Sequence, residues 1–244
     1  GVPFDKITYR EGDTDTLPQG GGSGGSRSTY MIAEAVKMGA DKIIEKGKQL
    51  AAHLLETSAA DIRFEAGNFT VAGTDRSIDV MALAIASRDA SNLPEGMEPG
   101  LDESAQSEIE DPTIPNGCHI VELEIDPETG ALELDTYTAV NDFGRVINPQ
   151  LLEGQIHGGL AQGFGQAVFE NCVYDPESGQ LLSGSFMDYC MPRADDMPEF
   201  FLATNEVLTK QNSFGLKGCG EAGCIPSVPA VVSAVLDALA VRGV

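Results

Sequence analysis

Positive charge is scarce in this 244-residue chain. Lysine and arginine number 15 against 38 aspartates and glutamates, a formal net charge of −23. With no basic stripe to offset it, that balance argues against nucleic acid or an anionic membrane surface as a partner. Long apolar runs are missing as well. Nothing approaches the roughly 20 residues of a membrane span, and no charged-then-apolar signal segment opens the chain, so a cytoplasmic protein is expected. The five cysteines (Cys118, Cys172, Cys190, Cys219 and Cys224) contain no C-x-x-C pair, which removes zinc-ligand spacing and points to reduced thiols. Only His53, His119 and His157 are present. They share no spacing, so no metal ligated by side chains is expected. Methionine does not open the chain, and "GVPFDKITYREGDTD" reads as the middle of a domain, so the sequence is read as part of a longer protein.

What is there suffices for a folded core, with 42% apolar residues. "KITYR" at 6–10 reads as a short strand. From Tyr30 to about Glu56, Met31, Ala35, Met38, Ile43, Gly47, Leu50 and Leu54 recur at helical spacing. "DIRFEAGNFTVAG" reads as a hairpin turning at Gly67-Asn68, and "SIDVMALAIAS" as a short helix with Ser77 as its N-cap. Residues 89–111 carry acidic but no basic side chains, with Pro94, Pro99 and Pro112 nearby. That stretch reads as a solvated loop, and the boundary between two subdomains, 1–111 and 112–244, is placed there. A second hairpin follows, with "CHIVELEID" and "ALELDTYTAV" around the turn "PETG". "NPQLLEGQIHGGLAQGFGQAVFE" has helical spacing despite five glycines, each costing ~1 kcal/mol relative to alanine in a helix. Close approach of another helix or of a ligand would explain them. Strands around "NCVYD" and "EFFLATNEV" and a closing helix from about Pro226 complete the reading. Strands and helices mix without βαβ alternation, so the expected class is α+β with mixed sheets and packed helices.

Three stretches carry candidate chemistry. "QGGGSGGSRST" lacks the Gly-Lys-Ser/Thr ending of an ATP-binding phosphate loop. It is either a flexible linker or an anion cradle at the start of the long helix, built from backbone N–H groups, hydroxyls and Arg27. "NDFGRVINPQLLEGQIHGG" offers Arg145, Asn148, Gln155 and His157, and its two amide side chains suit a heterocycle with mixed hydrogen-bonding edges. In "GLKGCGEAGC" the glycines would let backbone pass against a bulky ligand. Glu221 is then either an inward-pointing general base influenced by Lys217, or a solvent-facing turn residue.

Taken together, "GDTDT…GSRST", "DFGRVINP…EGQIHGGLAQGFGQ", "YDPESGQLLSGSFMDYCMPRADDMP" and "GLKGCGEAG…PAVVSAVLDAL" resemble the C-terminal part of the molybdopterin-binding large subunit of the xanthine dehydrogenase, aldehyde oxidase and carbon monoxide dehydrogenase family. The likeness runs along the whole chain and is greatest to the carbon monoxide dehydrogenase-like subunits. It implies a molybdenum–pterin cofactor (molybdopterin or its cytosine dinucleotide) contacted by Gly25, Ser26, Arg27, Ser28, Thr29, Asn148, Gln155, Lys217 and Gly220, with Glu221 as the active-site base. It implies oxidation of carbon monoxide, an aldehyde or an N-heterocycle with water-derived oxygen. Electrons would pass to an iron–sulfur subunit and an FAD subunit in a dimer of heterotrimers, with the N-terminal remainder of the large subunit completing the site. Residues 1–111 would end the first molybdopterin-binding subdomain, and residues 112–244 would form the second. The isolated piece is expected to be inactive. Relatives carry an aromatic residue in "GTYGSRS" where Gly24 stands here, and their "GQGHET" loop is not found in these residues. The alternative is a non-catalytic or degenerate module for subunit assembly.

Overall fold

The computed structural model describes residues 1–17, 20–108, 111–241 and 243. Gln19, which heads the glycine-rich loop, and Ile109 and Glu110 of the acidic loop lie outside the described residues. Two compact units emerge: Gly1–Gly22 with Ile32–Glu108, and Ser23–Met31 with Ile109–Val244.

The first unit packs helix α1 (Ser28–Leu54), from Ile32 onward, on a three-stranded antiparallel sheet of β1 (Ile62–Glu65), β2 (Asn68–Val71) and β3 (Ser77–Asp79). Its core holds Leu50, Ala51, Ile62, Phe69 and Leu83. Gly47 makes the helix-on-sheet contact possible, because a Cβ there would lie 2.9 Å from Phe69 Cε1 and nearer still to its Cζ. The hairpin turns at Ala66-Gly67, one residue before the expected place. Both adopt left-handed angles (φ 48° and 84°), as a two-residue hairpin turn requires, while Asn68 already pairs with Glu65. Ser77 does not cap a helix. It pairs with Thr70 in β3, and helix α2 (Val80–Ala86) is capped by Asp79, whose carboxylate accepts from the N–H groups of Met81 and Ala82 at 2.9 and 3.0 Å. The expected strand at 6–10 is absent: a 3-10 turn covers Phe4–Lys6, and Ile7 and Tyr9 are exposed and join no ladder.

The second unit is built on β4 (Asn116–Ile125), β5 (Leu132–Asp142) and β6 (Phe200–Thr204). β4 and β5 form the expected long hairpin, and β6 lies parallel to β5, so the sheet is mixed. Only an isolated bridge, Tyr174 to Leu181, remains of the strand expected around "NCVYD". Helix α3 (Pro149–Phe164), which runs into a π-turn at Gly165–Phe169, and helix α4 (Cys224–Ala240) contribute Leu152, Ile156, Leu160, Phe164 and Val231 to the core with Leu134, Tyr137 and Ala139. α4 begins two residues before Pro226. The architecture is α+β.

The α3 glycines divide by face. A Cβ on Gly159 would fall 2.8 Å from Gly223 Cα, and one on Gly163 would fall 2.6 Å from Ser227 Oγ, whereas Gly154 and Gly158 border open space. Close approach to the start of α4 therefore explains two of them. In β4, His119 is held between the Tyr137 hydroxyl (3.0 Å) and Asn141 Oδ1 (3.1 Å). Burial pushes its pKa below the ordinary histidine value, against the opposing pull of the Asn141 bond.

Candidate active site

Every candidate site residue belongs to the second unit, because Ser23–Met31 groups with it. The glycine-rich loop ends in two left-handed residues, Gly25 (φ 61°) and Ser26 (φ 56°). α1 begins two residues later. Its first helical bond runs from the Met31 N–H to the Arg27 carbonyl, so helix geometry leaves the N–H groups of Ser28, Thr29 and Tyr30 without intrahelical acceptors. Ser23 and Ser28 share a 2.5 Å hydroxyl bond across the loop. The loop is thus a cradle of donors at a helix N-terminus.

Opposite it stands the turn from Gly215 to Gly223. Its first half is fixed by backbone: Lys217 N–H donates to Phe143 O at 2.9 Å, and Arg145 N–H donates to Gly215 O at 3.1 Å. The buried Asn212 side chain bonds both ends of Leu216, donating to its carbonyl at 2.8 Å and accepting from its N–H at 2.9 Å. In the second half, Gly218 and Gly220 lie against Ser26, while Gly223 lies against α3, where a Cβ would meet Ile156 O at 2.7 Å. Gln155 of α3 donates to Gly220 O at 2.7 Å.

With both flanks of this turn occupied by backbone contacts, the Glu221 side chain faces outward and is exposed. Of the two readings of this turn, an inward-pointing side chain or a solvent-facing one, the exposed position is the one seen. Ser26 Oγ donates to Glu221 Oε2 at 2.8 Å and accepts from the Glu221 N–H at 3.1 Å. The Lys217 side chain turns to Asp142. Its ammonium bonds Asp142 Oδ2 at 2.5 Å, and the two side chains are only 10% and 11% exposed. Burial acts to raise the Asp142 pKa. The Lys217 bond and the N–H groups of Val207 (3.0 Å) and Gly144 (2.9 Å) outweigh it, leaving this carboxyl below the ordinary aspartate value.

The loop, the turn and the start of α3 enclose a cavity of about 420 Å³ lined by Ser26, Ser28, Thr29, Arg145, Gln155 and Gly220. Asn148 and Lys217 also border it. Asn148 has a second duty, since its side chain caps α3 by accepting the Leu151 N–H at 3.1 Å. Gly25, Arg27 and Glu221 are chain neighbours of lining residues rather than part of the wall. His157 stacks beside Phe200 and does not reach the cavity wall. A larger cavity of about 690 Å³ at the opposite end of β5 is ringed by carboxylates, including Glu124, Asp126, Asp195 and Asp196. Among the described residues no group of three or more His, Cys, Asp or Glu is arranged to hold a metal ion.

Asp142 and Asn212 were missed in the sequence. The signal for Asp142 was present: the apolar–polar alternation of "ALELDTYTAV" ends in two consecutive buried polar residues, Asn141 and Asp142, which demand partners. Asn212 carried no comparable signal.

The chain is similar to known proteins along most or all of its length. The molybdopterin cofactor-binding domain family matches residues 1–198. The gamma subunit of the 6-hydroxypseudooxynicotine dehydrogenase complex of Paenarthrobacter nicotinovorans is 37% identical over 97% of this chain, and the carbon monoxide dehydrogenase large chain of Hydrogenophaga pseudoflava is 36% identical over 100% of it. Among solved structures, a copper- and molybdenum-containing CO dehydrogenase in its carbon monoxide-reduced state superposes with a TM-score of 0.88 at 35% identity, covering 98% of this chain and 30% of its own. Quinoline 2-oxidoreductase from Pseudomonas putida 86 gives 0.78 at 36% identity, covering 88% of this chain and 28% of its own. The chain spans 30% of the length of both curated relatives. Among the described residues no helix is long and apolar enough to cross a membrane. The chain belongs to the molybdopterin cofactor-binding domain family.

Proposed function

We propose that this region holds a molybdenum–pterin cofactor in the cavity beside the glycine-rich loop, and that Glu221 is the base of a molybdenum-dependent oxidoreductase. The observation that carries the reading is the Ser26–Glu221 pair, which places a carboxylate next to two cavity-lining residues, Ser26 and Gly220. The donor set fits the group. Side chains added at Gly24 or Gly25 would meet no protein atom within 4 Å, so that flank is open, and the free N–H groups at the start of α1 suit phosphate oxygens. Gln155, Asn148 and the hydroxyls of Ser28 and Thr29 offer donors and acceptors to a pterin ring. Ser26, Arg27, Lys217 and Gly220 complete the assigned contacts.

When bound, the cofactor supplies two-electron redox chemistry. The chain's own part is to orient it and to accept, at the Glu221 carboxylate, a proton from the water-derived oxygen delivered to the substrate. Carbon monoxide, an aldehyde or an N-heterocycle fits that chemistry. The same reading assigns residues 1–111 to the end of one molybdopterin-binding subdomain and residues 112–244 to a second. It assigns the remaining catalytic contacts to further chain of the same subunit, so the isolated 244 residues would be inactive. Iron–sulfur and FAD subunits, in a cytoplasmic dimer of heterotrimers, would receive the electrons. A relative described as a subunit of a dehydrogenase complex supports such partners.

The test is Glu221→Gln in the complete, molybdenum-loaded enzyme. Turnover per bound molybdenum should fall ~10²–10⁴-fold, with metal content and thermal stability unchanged. Retention of more than about a tenth of wild-type turnover would remove Glu221 from the chemistry.

A further inference from the structure

We infer that Ser26 is a positioning residue for Glu221, and that its hydroxyl does not serve as a donor to the cofactor. The inference rests on the reading of Glu221 as the base. Ser26 stands at φ 56°, in the left-handed region that an L side chain other than Asn or Asp rarely occupies, and such outliers persist where surrounding contacts over-determine them. The contacts are visible. Gly218 has no side chain, which admits the Ser26 backbone, and a Cβ on Gly220 would stand 3.2 Å from Ser26 Oγ. In this pose the hydroxyl donates to Glu221 Oε2 at 2.8 Å and accepts from the Glu221 N–H at 3.1 Å.

A serine hydroxyl has one proton to donate. Ser26 places it on the carboxylate, so none remains for a phosphate or a pterin oxygen. Its lone pair meanwhile holds the backbone of the same glutamate. Side chain and main chain of Glu221 are therefore fixed together from one atom, which limits the rotamers open to an otherwise exposed carboxylate. Of the neighbouring hydroxyls that line the cavity, that of Ser28 is shared with Ser23 at 2.5 Å, and that of Thr29 is left to contact the cofactor.

The experiment uses the complete enzyme complex carrying Ser26→Ala or Ser26→Gly, each alone and combined with Glu221→Gln. Glycine suits the left-handed backbone, so it removes the hydroxyl without adding strain and covers the case in which the alanine variant folds poorly. Amide hydrogen exchange at Glu221 in the cofactor-free form is one readout. The Cys224 and Ile225 amides, which donate to Glu221 O at 3.1 and 3.0 Å, are internal controls. Exchange at Glu221 should rise about tenfold with the controls unchanged. Turnover per bound molybdenum should fall about tenfold with KM unaltered, as for a displaced catalytic group. In the Glu221→Gln background the Ser26 changes should cost nothing further, because residues acting as a unit are not additive. Wild-type exchange at Glu221, or losses that multiply in the double variant, would overturn the inference and leave the base assignment standing. Full turnover in Glu221→Gln alone would overturn the base assignment and this inference with it.

Discussion

In the loop before α1, side chains added at Gly20, Gly24 or Gly25 would meet no atom within 4 Å; in the turn before α4, side chains added at Gly218 or Gly223 would run into backbone. The two stretches share a composition and differ in cause. In the first, glycine leaves a flank unfilled and permits a left-handed bend at Gly25. In the second, it lets three pieces of main chain touch, and Glu221 is carried on the crest of that contact. Glycine density in a sequence therefore signals either access or close approach, and only the neighbours decide which.

Substitutions that treat both stretches alike would break this contrast. The largest effect is expected at Gly218→Ala, whose Cβ would lie 2.6 Å from Ser26 Cβ and 2.9 Å from Ser26 C. Overpacking against backbone should cost about 3 kcal/mol, the upper end of what added bulk costs, read as a lower denaturant midpoint, and the displaced Ser26 should cost turnover as well. A midpoint equal to wild type would show that the turn has slack.

Next is Asp142→Asn, which removes the charge that ties Lys217 to the end of β5. Loss of the charge-assisted bonds should cost roughly 1.5–3 kcal/mol near neutral pH. The sign of the pH dependence follows from the lowered Asp142 pKa. A depressed carboxyl contributes stability that is present above its unfolded value of about 3.9 and is lost as pH falls through the folded one. The gap between wild type and variant should therefore be flat from pH 7 to about 5 and narrow below about 4. Urea titrations across that range would check it, and a gap that widens in acid would refute it.

The smallest effects belong to the open loop and should differ between adjacent residues. Gly24→Ala should stay within about 0.5 kcal/mol of wild type, whereas Gly25→Ala, at φ 61°, should lose about 1–2 kcal/mol. Equal midpoints for the two would mean that Gly25 relaxes out of its left-handed bend.

What the sequence disclosed follows the same division. Periodic elements were readable: the 31–54 apolar spacing of α1, the β4–β5 hairpin and the α3 helix all appear where burial of one face dictates them. Local ends were less so. Ser77 looked like a cap, but cross-strand pairing with Thr70 claimed it and Asp79 took the role. The site residues could be nominated by motif, yet their pairings could not. Ser26 and Glu221 lie 195 positions apart, and Lys217 lies 75 from Asp142. No local rule links residues at such separations. The exposure of Glu221 and the destination of the Lys217 charge are both properties of tertiary packing.

The grouping of Ser23–Met31 with residues 109–244 has a consequence for synthesis. Chain emerging vectorially from a ribosome can pack most of α1 on its hairpin as soon as residues up to about 108 are out, as domains generally fold in order of appearance. The first turn of that helix and the loop before it must wait until Glu221 is made. The cradle is therefore closed after the hairpin unit has packed, by a contact spanning 195 positions, and such contacts form slowly because the entropy of closing a long loop must be met before they stabilise anything. Until then the donors of the cradle remain open to water, and a cofactor offered during translation would find the site only half assembled.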